Sequence, residues 1–171
     1  MDNDMAPARA SSPETWHAVE QFLYRQAEIL DDKRWDDWLP LFTDSGKYWM
    51  PAAADQESAE GFPSIFYEDQ FLMDMRIRRI CHPYAHSQMP TQRLSRVVSN
   101  IVIESEDEAS GDIVVRSKFH CVEYRLNDQR YFAGKYCHHL KSTGDGYKIE
   151  MQRVDIVNVE GPFEYVIQAW L

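Results

Sequence analysis

The hydrophobic and polar positions of this chain predict an amphipathic helix near its beginning. Apolar residues recur there at spacings of three and four, which form the stripe that such a helix turns toward a core. Ser12 and Pro13 predict where the helix begins, as its N-cap and its first helical residue. The apolar positions of the stripe are Phe22, Leu23, Ala27, Ile29 and Leu30.

A second, short amphipathic helix is predicted directly after the first. Pro40 indicates where it ends, because proline disfavours the helical conformation of the residue before it. The composition of residues 43–46 predicts a turn, and the aromatic stretch 48–50 before Pro51 predicts a short strand. The apolar positions of the second helix are Trp35, Trp38, Leu39 and Phe42.

The middle of the chain is predicted to alternate between loops and short elements. Small and acidic residues predict a surface loop at 52–61, and residues 62–67 are predicted to form a short strand. Residues 68–80 have helical spacing, and two prolines without periodicity make 81–92 a long loop. The arginines at the end of that helix either complement its dipole or form a basic patch for a partner; they are Arg76, Arg78 and Arg79.

The second half of the chain predicts four long strands joined by tight turns, and therefore an antiparallel meander. Strands of about a dozen residues exceed the usual five or six, and Gly134 inside one of them indicates a bend or bulge. We expect an α+β fold in which a strongly curved sheet takes the N-terminal helices on its concave side. The four strands are residues 93–104, 113–126, 130–142 and 147–159.

Composition and charge narrow the function classes. Aromatic residues make up 13% of the chain, enough for a real core and too many for a disordered protein. The 18 Lys and Arg against 28 Asp and Glu give a formal net charge of -10. Phosphate backbones and anionic lipid heads would repel such a chain, so nucleic acid and membranes are excluded as its main partners.

Three cysteines without framework spacing predict a reduced, cytoplasmic protein. The first residues carry no apolar signal-peptide region, so we expect residues 1–12 to be a flexible tail. Residues 13–171 then form one cone-shaped domain of ordinary size.

Three segments of the chain, in order, resemble the small (beta) subunit of bacterial aromatic-ring-hydroxylating dioxygenases. The first runs from 20 to 51 and contains a Leu-Asp pair at the helix end and the sequence Tyr-Trp-Met-Pro. The second is 90–100 and the third is the C-terminal GPFEYVIQAWL. Gln26 stands where that family often has glutamate, which we interpret as a surface-compatible change. The resemblance implies a cone of the cystatin or NTF2-like type.

The resemblance also implies a function: a non-catalytic, structural subunit without a cofactor of its own. Its partner would be a large (alpha) subunit carrying a Rieske [2Fe-2S] cluster and a mononuclear iron, commonly in an α3β3 hexamer. Such an enzyme converts an arene into a cis-dihydrodiol with electrons from NADH through a reductase. The Leu-Asp-Asp and Tyr-Trp-Met-Pro segments are similar to benzoate-type subunits and favour an aromatic carboxylate as substrate.

Two groups of residues resemble metal-ligand sets, and neither is complete. Cys137-His138-His139 contains one half of a Rieske signature, but the Cys-x-x-His half is absent. His82 and His86 have the spacing of helical ligands, but Pro83 between them makes a helix interior there unfavourable. The sequence therefore predicts no metal in this chain.

The alternative function is a free-standing dehydratase or isomerase, because cone folds of this kind also house such enzymes. A histidine, an aspartate and tyrosines would then meet inside the cone. The candidates are Tyr48, Tyr67, Asp69, His82, His86 and His120. Against this reading stand bulky residues that could fill the cone instead. They are Trp16, Trp35, Trp38, Trp49, Phe22 and Phe42.

The third function class is a binding module. Residues 118–124 alternate polar and aromatic side chains on both faces of a strand, as expected where helices cover one face and another chain covers the other. We expect self-association, as a trimer, through the sheet. The candidate subunit-interface residues are Arg93, Arg96 and Trp170.

Overall fold

Helix α1 spans Pro13–Asp31 in the computed structural model, which describes residues 11–163, 166–168 and 170–171. Ser12 is its N-cap, as predicted, and its side chain accepts a hydrogen bond from the Thr15 N–H at 3.0 Å. The predicted tail at 1–12 lies outside the described residues except for its last two positions. None of the helices in the described ranges is long and apolar enough to cross a membrane.

The other helices follow the sequence pattern closely. Helix α2 is Trp35–Trp38 and continues into a single 3-10 turn at Leu39–Leu41, where Pro40 stops it. Helix α3 is Gln70–Ile80, and the Asp69 side chain caps it by accepting a hydrogen bond from the Leu72 N–H at 2.9 Å. A 3-10 turn at His86–Gln88 interrupts the predicted loop 81–92.

Six strands form one sheet in the order β2-β1-β6-β5-β4-β3. The last four make the predicted antiparallel meander, and the α+β class with helices on one face of a long-stranded sheet is confirmed. The strands are β1 Phe42–Pro51, β2 Ser64–Asp69, β3 Arg93–Glu106, β4 Ile113–Arg125, β5 Asp128–Ser142 and β6 Tyr147–Ile156.

The turn predicted at residues 43–46 is wrong, because these residues belong to β1. Strand β1 runs parallel to β6, with Phe42 opposite Ile149 and Lys47 opposite Met151, so the four residues between form an irregularity in the ladder. A Cβ on Gly46 would lie 2.7 Å from the Ile149 carbonyl oxygen. The small residues at 43–46 therefore allow β1 and β6 to approach closely. The parallel pairing of β1 with β6 was not predicted from the sequence.

The bulge expected at Gly134 lies elsewhere. Pairing between β4 and β5 passes through Gly134 without a shift, and the shift between β5 and β6 falls at His139/Leu140. Strand β3 has two further shifts, one of them around Asn100, whose φ is 53°. Bulges bend a strand and increase its twist, so these sites supply the local bending along the long strands.

The core lies between the helices and the face of the sheet that they cover, here called the inner face. Trp38 and Phe42 are fully buried and pack edge to face, with ring centroids 5.1 Å apart. Two of the predicted cone-filling residues lie elsewhere. Trp16 is 41% exposed at the beginning of α1, beside residues 101–106. Trp49 is buried on the opposite face from Tyr48, since neighbours on a strand alternate, and Arg153 covers its ring.

Gly134 generates a prediction about packing. A Cβ there would overlap the Asp155 carbonyl oxygen and lie 2.9 Å from a Phe119 ring carbon. We expect Gly134→Ala to lower the free energy of unfolding by about 1 to 3 kcal/mol, because the β5–β6 ladder must open. Urea denaturation measures it. Lys135→Ala is the control on the exposed face, and an equal effect there would contradict the packing argument.

Candidate functional site

Arg96 joins three distant parts of the chain inside the fold. Its side chain is 1% exposed and forms an ion pair with Asp31 at the end of α1. The backbone N–H of Arg96 also donates to the Asp31 carboxylate, at 2.7 Å. Its Nη2 donates to the backbone carbonyl oxygen of Trp170, at 2.7 Å. The guanidinium is therefore bound within its own chain.

The indole of Trp170 lies buried at one end of the core. It packs against Trp38, with ring centroids 4.2 Å apart, and edge to face against Trp35 at 5.4 Å. Its Nε1–H donates to the carboxylate of Glu68 at 3.1 Å. Arg76 in turn donates to Glu68 from Nε at 2.8 Å. Arg76 therefore has a structural partner within the chain, so it does not contribute to a free basic patch.

Tyr48 fixes the residue after Trp170. Its buried hydroxyl donates to the Leu171 carbonyl oxygen at 3.2 Å and accepts from the Leu171 N–H at 3.1 Å. Burial, the largest cause, raises the pKa of Tyr48 well above its ordinary value. The phenol therefore remains neutral at physiological pH and serves as a binding group for the backbone.

A second buried polar cluster connects α1 to the sheet. Gln26 Nε2 donates to Gln152 Oε1 at 2.6 Å, and Gln26 Oε1 lies 3.1 Å from His138 Nε2. All three side chains are buried, so interpreting Gln26 as a surface-compatible change was wrong. The signal was present in the sequence, because Gln26 lies three residues after Leu23 and four before Leu30, within the apolar stripe.

The environment of His138 keeps its imidazole neutral. Burial, with a smaller contribution from His139, lowers the pKa of His138 to about 3. Its Nδ1 has no hydrogen-bond partner among the described residues. Because Gln26 Oε1 can only accept, His138 Nε2 carries the proton that joins them. A neutral imidazole held in this way positions α1 on β5.

The residues proposed for an internal dehydratase or isomerase site do not meet. Tyr48 is buried against Leu171, whereas Tyr67 and Asp69 lie on β2, where they bind Lys47 and cap α3. The histidines are exposed, two in the 81–92 loop and one on the face of β4 away from the core: His82, His86 and His120. Among the described residues the arrangement gives no shared site for a catalytic acid and base.

The interior also lacks room for a substrate. The hollow beside Arg96 and Tyr136 has a volume of about 10 Å³, close to the space needed by a single water molecule. The hollow under residues 166–168 is equally small. The larger depressions, of about 790 and 450 Å³, are open grooves on the surface. Substrate pockets are usually enclosed spaces of several hundred Å³, so the cone is filled by its own side chains.

Metal ligands do not converge in the described part of the chain. No group of three His, Cys, Asp or Glu side chains there could hold a metal ion. In the Cys137-His138-His139 run, strand alternation sends His138 to the core and its neighbours to the other face. The donor set therefore does not fit a Rieske cluster or a mononuclear iron.

The three predicted interface residues have different positions. Arg96 and Trp170 are buried within this chain, where they bind each other. Their side chains are therefore not available to a second subunit, and only Arg93 remains exposed. The Arg93 guanidinium lies over the ring of Tyr124, 4.8 Å from its centroid, on the face of the sheet away from the helices.

The sequence matches a family model described as the ring hydroxylating beta subunit, over residues 25–160. This match covers most of the chain. The chain belongs to the ring hydroxylating beta subunit family. The family that the sequence segments indicated is thereby confirmed, and the third of them, residues 161–171, lies beyond the matched range.

Relatives of this family member include beta subunits of benzoate 1,2-dioxygenases. The benzoate 1,2-dioxygenase subunit beta of Acinetobacter baylyi is 30% identical over 145 residues, covering 82% of this chain and 85% of that relative. The crystal structure of the beta subunit of benzoate 1,2-dioxygenase from Burkholderia mallei is 28% identical, with a TM-score of 0.69. It covers 87% of this chain and 95% of the other.

The same fold occurs outside this family. A protein from Novosphingobium aromaticivorans described as a scytalone dehydratase is 14% identical, with a TM-score of 0.62. The alignment covers 82% of this chain and 83% of that protein. This likeness shows a shared fold alone, and it confirms the predicted class of cone.

The buried ion pair of this family member generates a stability prediction. We expect Arg96→Ala to lower the free energy of unfolding by about 3 kcal/mol, because it leaves the Asp31 carboxylate without its charged partner. Arg93→Ala is the matched control, since its exposed side chain should contribute less than about 1 kcal/mol. Chemical denaturation of both variants measures the difference, and equal losses would contradict the assignment.

His138 generates a prediction about pH. An unfolded histidine binds a proton near pH 6.5, whereas folded His138 does so only near pH 3, so acid favours the unfolded state between these values. Stability that is present in full above pH 6.5 should fall by about 2 kcal/mol on reaching pH 5. Denaturation at pH 7 and pH 5 should show that His138→Gln removes this loss, whereas His120→Gln keeps it. An unchanged loss in His138→Gln would refute the prediction.

Proposed function

We propose that this chain is the small structural subunit of a multicomponent aromatic-ring-hydroxylating dioxygenase and that it has no catalytic residue. The observation that carries the proposal is the filled cone in a member of this family. Where a dehydratase would need a cavity, this chain has Trp38, Trp170 and a hollow of about 10 Å³. Its contribution must then come from its outer surface.

In this proposal a large subunit holds the cofactors of the reaction. A Rieske [2Fe-2S] cluster would pass electrons from NADH and a reductase to a mononuclear Fe(II), where dioxygen and the arene react. The large subunit would associate with this chain as an α3β3 hexamer. Two observations support the proposal: the names of the relatives describe them as subunits, and the described residues of this chain offer no complete ligand set.

The substrate we propose is an aromatic carboxylate such as benzoate, which would be converted into a cis-dihydrodiol. The support is the similarity to benzoate 1,2-dioxygenase subunits, at 30% identity to one relative and 28% to another. Substrate contacts would lie in the large subunit, because the hollows inside this fold beside Arg96 and under residues 166–168 measure only about 10 Å³ each.

The surface we propose for subunit contacts is an outer patch formed by Arg93, Val97, Tyr124 and Tyr131. Arg93 lies opposite Tyr124 on neighbouring strands, and Tyr131 continues the patch on β5. Val97 and Tyr131 are strongly exposed for apolar residues. Aromatic residues and arginine are enriched at interface centres, so this patch suits a trimer contact or the large subunit better than the acidic loop 52–61.

We propose a cytoplasmic location. The three cysteines are free thiols in the structure, at Cys81, Cys121 and Cys137. Burial, the largest cause, raises the pKa of the Cys121 thiol to about 11, so it remains an unreactive thiol at neutral pH. Free thiols suit a reducing compartment.

Assembly tests the proposed function. The chain is co-expressed with a large dioxygenase subunit from its own source and with the reductase, and the purified complex is analysed by light scattering and by NADH-dependent oxygen uptake with benzoate. We expect a hexamer that consumes oxygen with benzoate, whereas Tyr131→Glu should prevent assembly because it places a charge in the outer patch. Failure of the unaltered chain to bind the large subunit would refute the function.

A matched control tests the outer patch independently of the proposed subunit function. Phe71 on α3 is 68% exposed, as is Tyr131, but it lies on the helical side of the molecule. Phe71→Glu should assemble normally. If Phe71→Glu prevents assembly and Tyr131→Glu does not, the family function remains and the outer patch is wrong.

A further inference from the structure

The Trp170 indole is surrounded by side chains in the way that a protein binds an aromatic ligand. Its indole is buried and contacts three aromatic rings from α2 and β1: Trp38 at 4.2 Å, Trp35 at 5.4 Å and Tyr48 at 6.5 Å between centroids. The interplanar angles of 64° to Trp35 and 74° to Tyr48 make both of these contacts edge to face. Edge-to-face contacts of this kind recognise a flat aromatic ring.

The polar contacts of Trp170 are as specific as the aromatic ones. Buried Glu68 accepts a hydrogen bond from the indole N–H at 3.1 Å, and Arg76 holds that carboxylate in place. Arg96 Nη2 donates to the backbone carbonyl oxygen at 2.7 Å. The backbone carbonyl is retained when the side chain is removed, so a ligand that replaces the indole needs a flat ring with one N–H donor for Glu68.

The residues that surround the Trp170 indole lie on helices and strands, whereas Trp170 itself does not. The surrounding residues belong to α2, which packs in the core, and to three strands of the sheet, β1, β2 and β3. They are Trp35, Trp38, Tyr48, Glu68 and Arg96. Trp170 follows the end of β6 by fourteen positions, and the described residues in between form no helix or strand. The surrounding residues are therefore positioned by regular elements that do not include the residue they enclose.

We propose that this end of the cone is a binding site for indole-type rings, which the chain fills with its own Trp170. The site is a cage for a flat aromatic ring with one N–H donor, placed inside the fold and distinct from the outer patch. Removal of the Trp170 side chain opens this site to a free ligand of the same chemistry. Enclosed cavities lined by apolar side chains are known to accept aromatic molecules of matching shape.

The test uses the full chain with Trp170→Ala and indole as the probe. The substitution should lower the melting temperature by about 10 °C, through loss of a buried ring. Indole at millimolar concentration should then raise the melting temperature of this variant by about 3 °C or more, because it binds only the folded state. The unaltered chain should shift by less than about 1 °C, because Trp170 already fills the site.

Two controls separate this site from general binding of indole. Trp16→Ala removes a tryptophan that is 41% exposed, and indole should not stabilise that variant. Indene has the bicyclic shape of indole without the N–H, so it should stabilise Trp170→Ala less than indole does, since Glu68 Oε2 then lacks the donor that the indole supplies. Equal shifts with indene and indole would overturn the assigned N–H specificity.

Each remaining outcome decides the proposal. No indole-dependent shift in Trp170→Ala, or an equal shift in Trp16→Ala, would overturn it. If Trp170→Ala is unfolded without ligand, the same titration is followed by near-UV circular dichroism. Recovery of the folded signal with indole would support the site, and no recovery would contradict it.

Discussion

The buried guanidinium of Arg96 is the interaction on which the rest of the structure depends. A charge removed from water is tolerated only where partners surround it, and here the partners come from the end of α1 and from Trp170. The requirement to pair this one charge therefore fixes the helix, the third strand and the C-terminal residues relative to one another. The Trp170 indole, once held there, completes the aromatic cluster around Trp38.

The filling of the cone by the chain's own side chains shows how one fold can serve both enzymes and structural subunits. A curved sheet around a helix leaves a space that is either kept open for a substrate or filled by side chains. In this chain Trp38, Trp170 and the Gln26 cluster fill it. Gln26 binds Gln152, and the Trp170 indole binds Glu68. In the proposed function the chemistry belongs to a partner subunit, and the outer face of the sheet carries the exposed Tyr124 and Tyr131.

The buried polar groups show where sequence patterns stop being informative. Gln26 has the right spacing for the apolar stripe, but its polarity suggested the surface until Gln152 and His138 were seen to bind it. Arg96 was predicted to contact another subunit, because its partner Asp31 lies 65 residues away in sequence and could not be identified from spacing. Pairing energies of this kind depend on distances between remote residues, which spacing along one segment does not contain.

The sequence by itself determined the helices, the four long strands and the family. Periodicity and turn chemistry are local, and a cap such as Ser12 acts within one turn of its helix. Only the tertiary structure decided that β1 runs parallel to β6 and that Trp170 turns inward, and it placed the exposed His82 and His86 away from any shared site. Those outcomes depend on which surfaces the fold brings together, because burial and pairing are properties of the assembled chain.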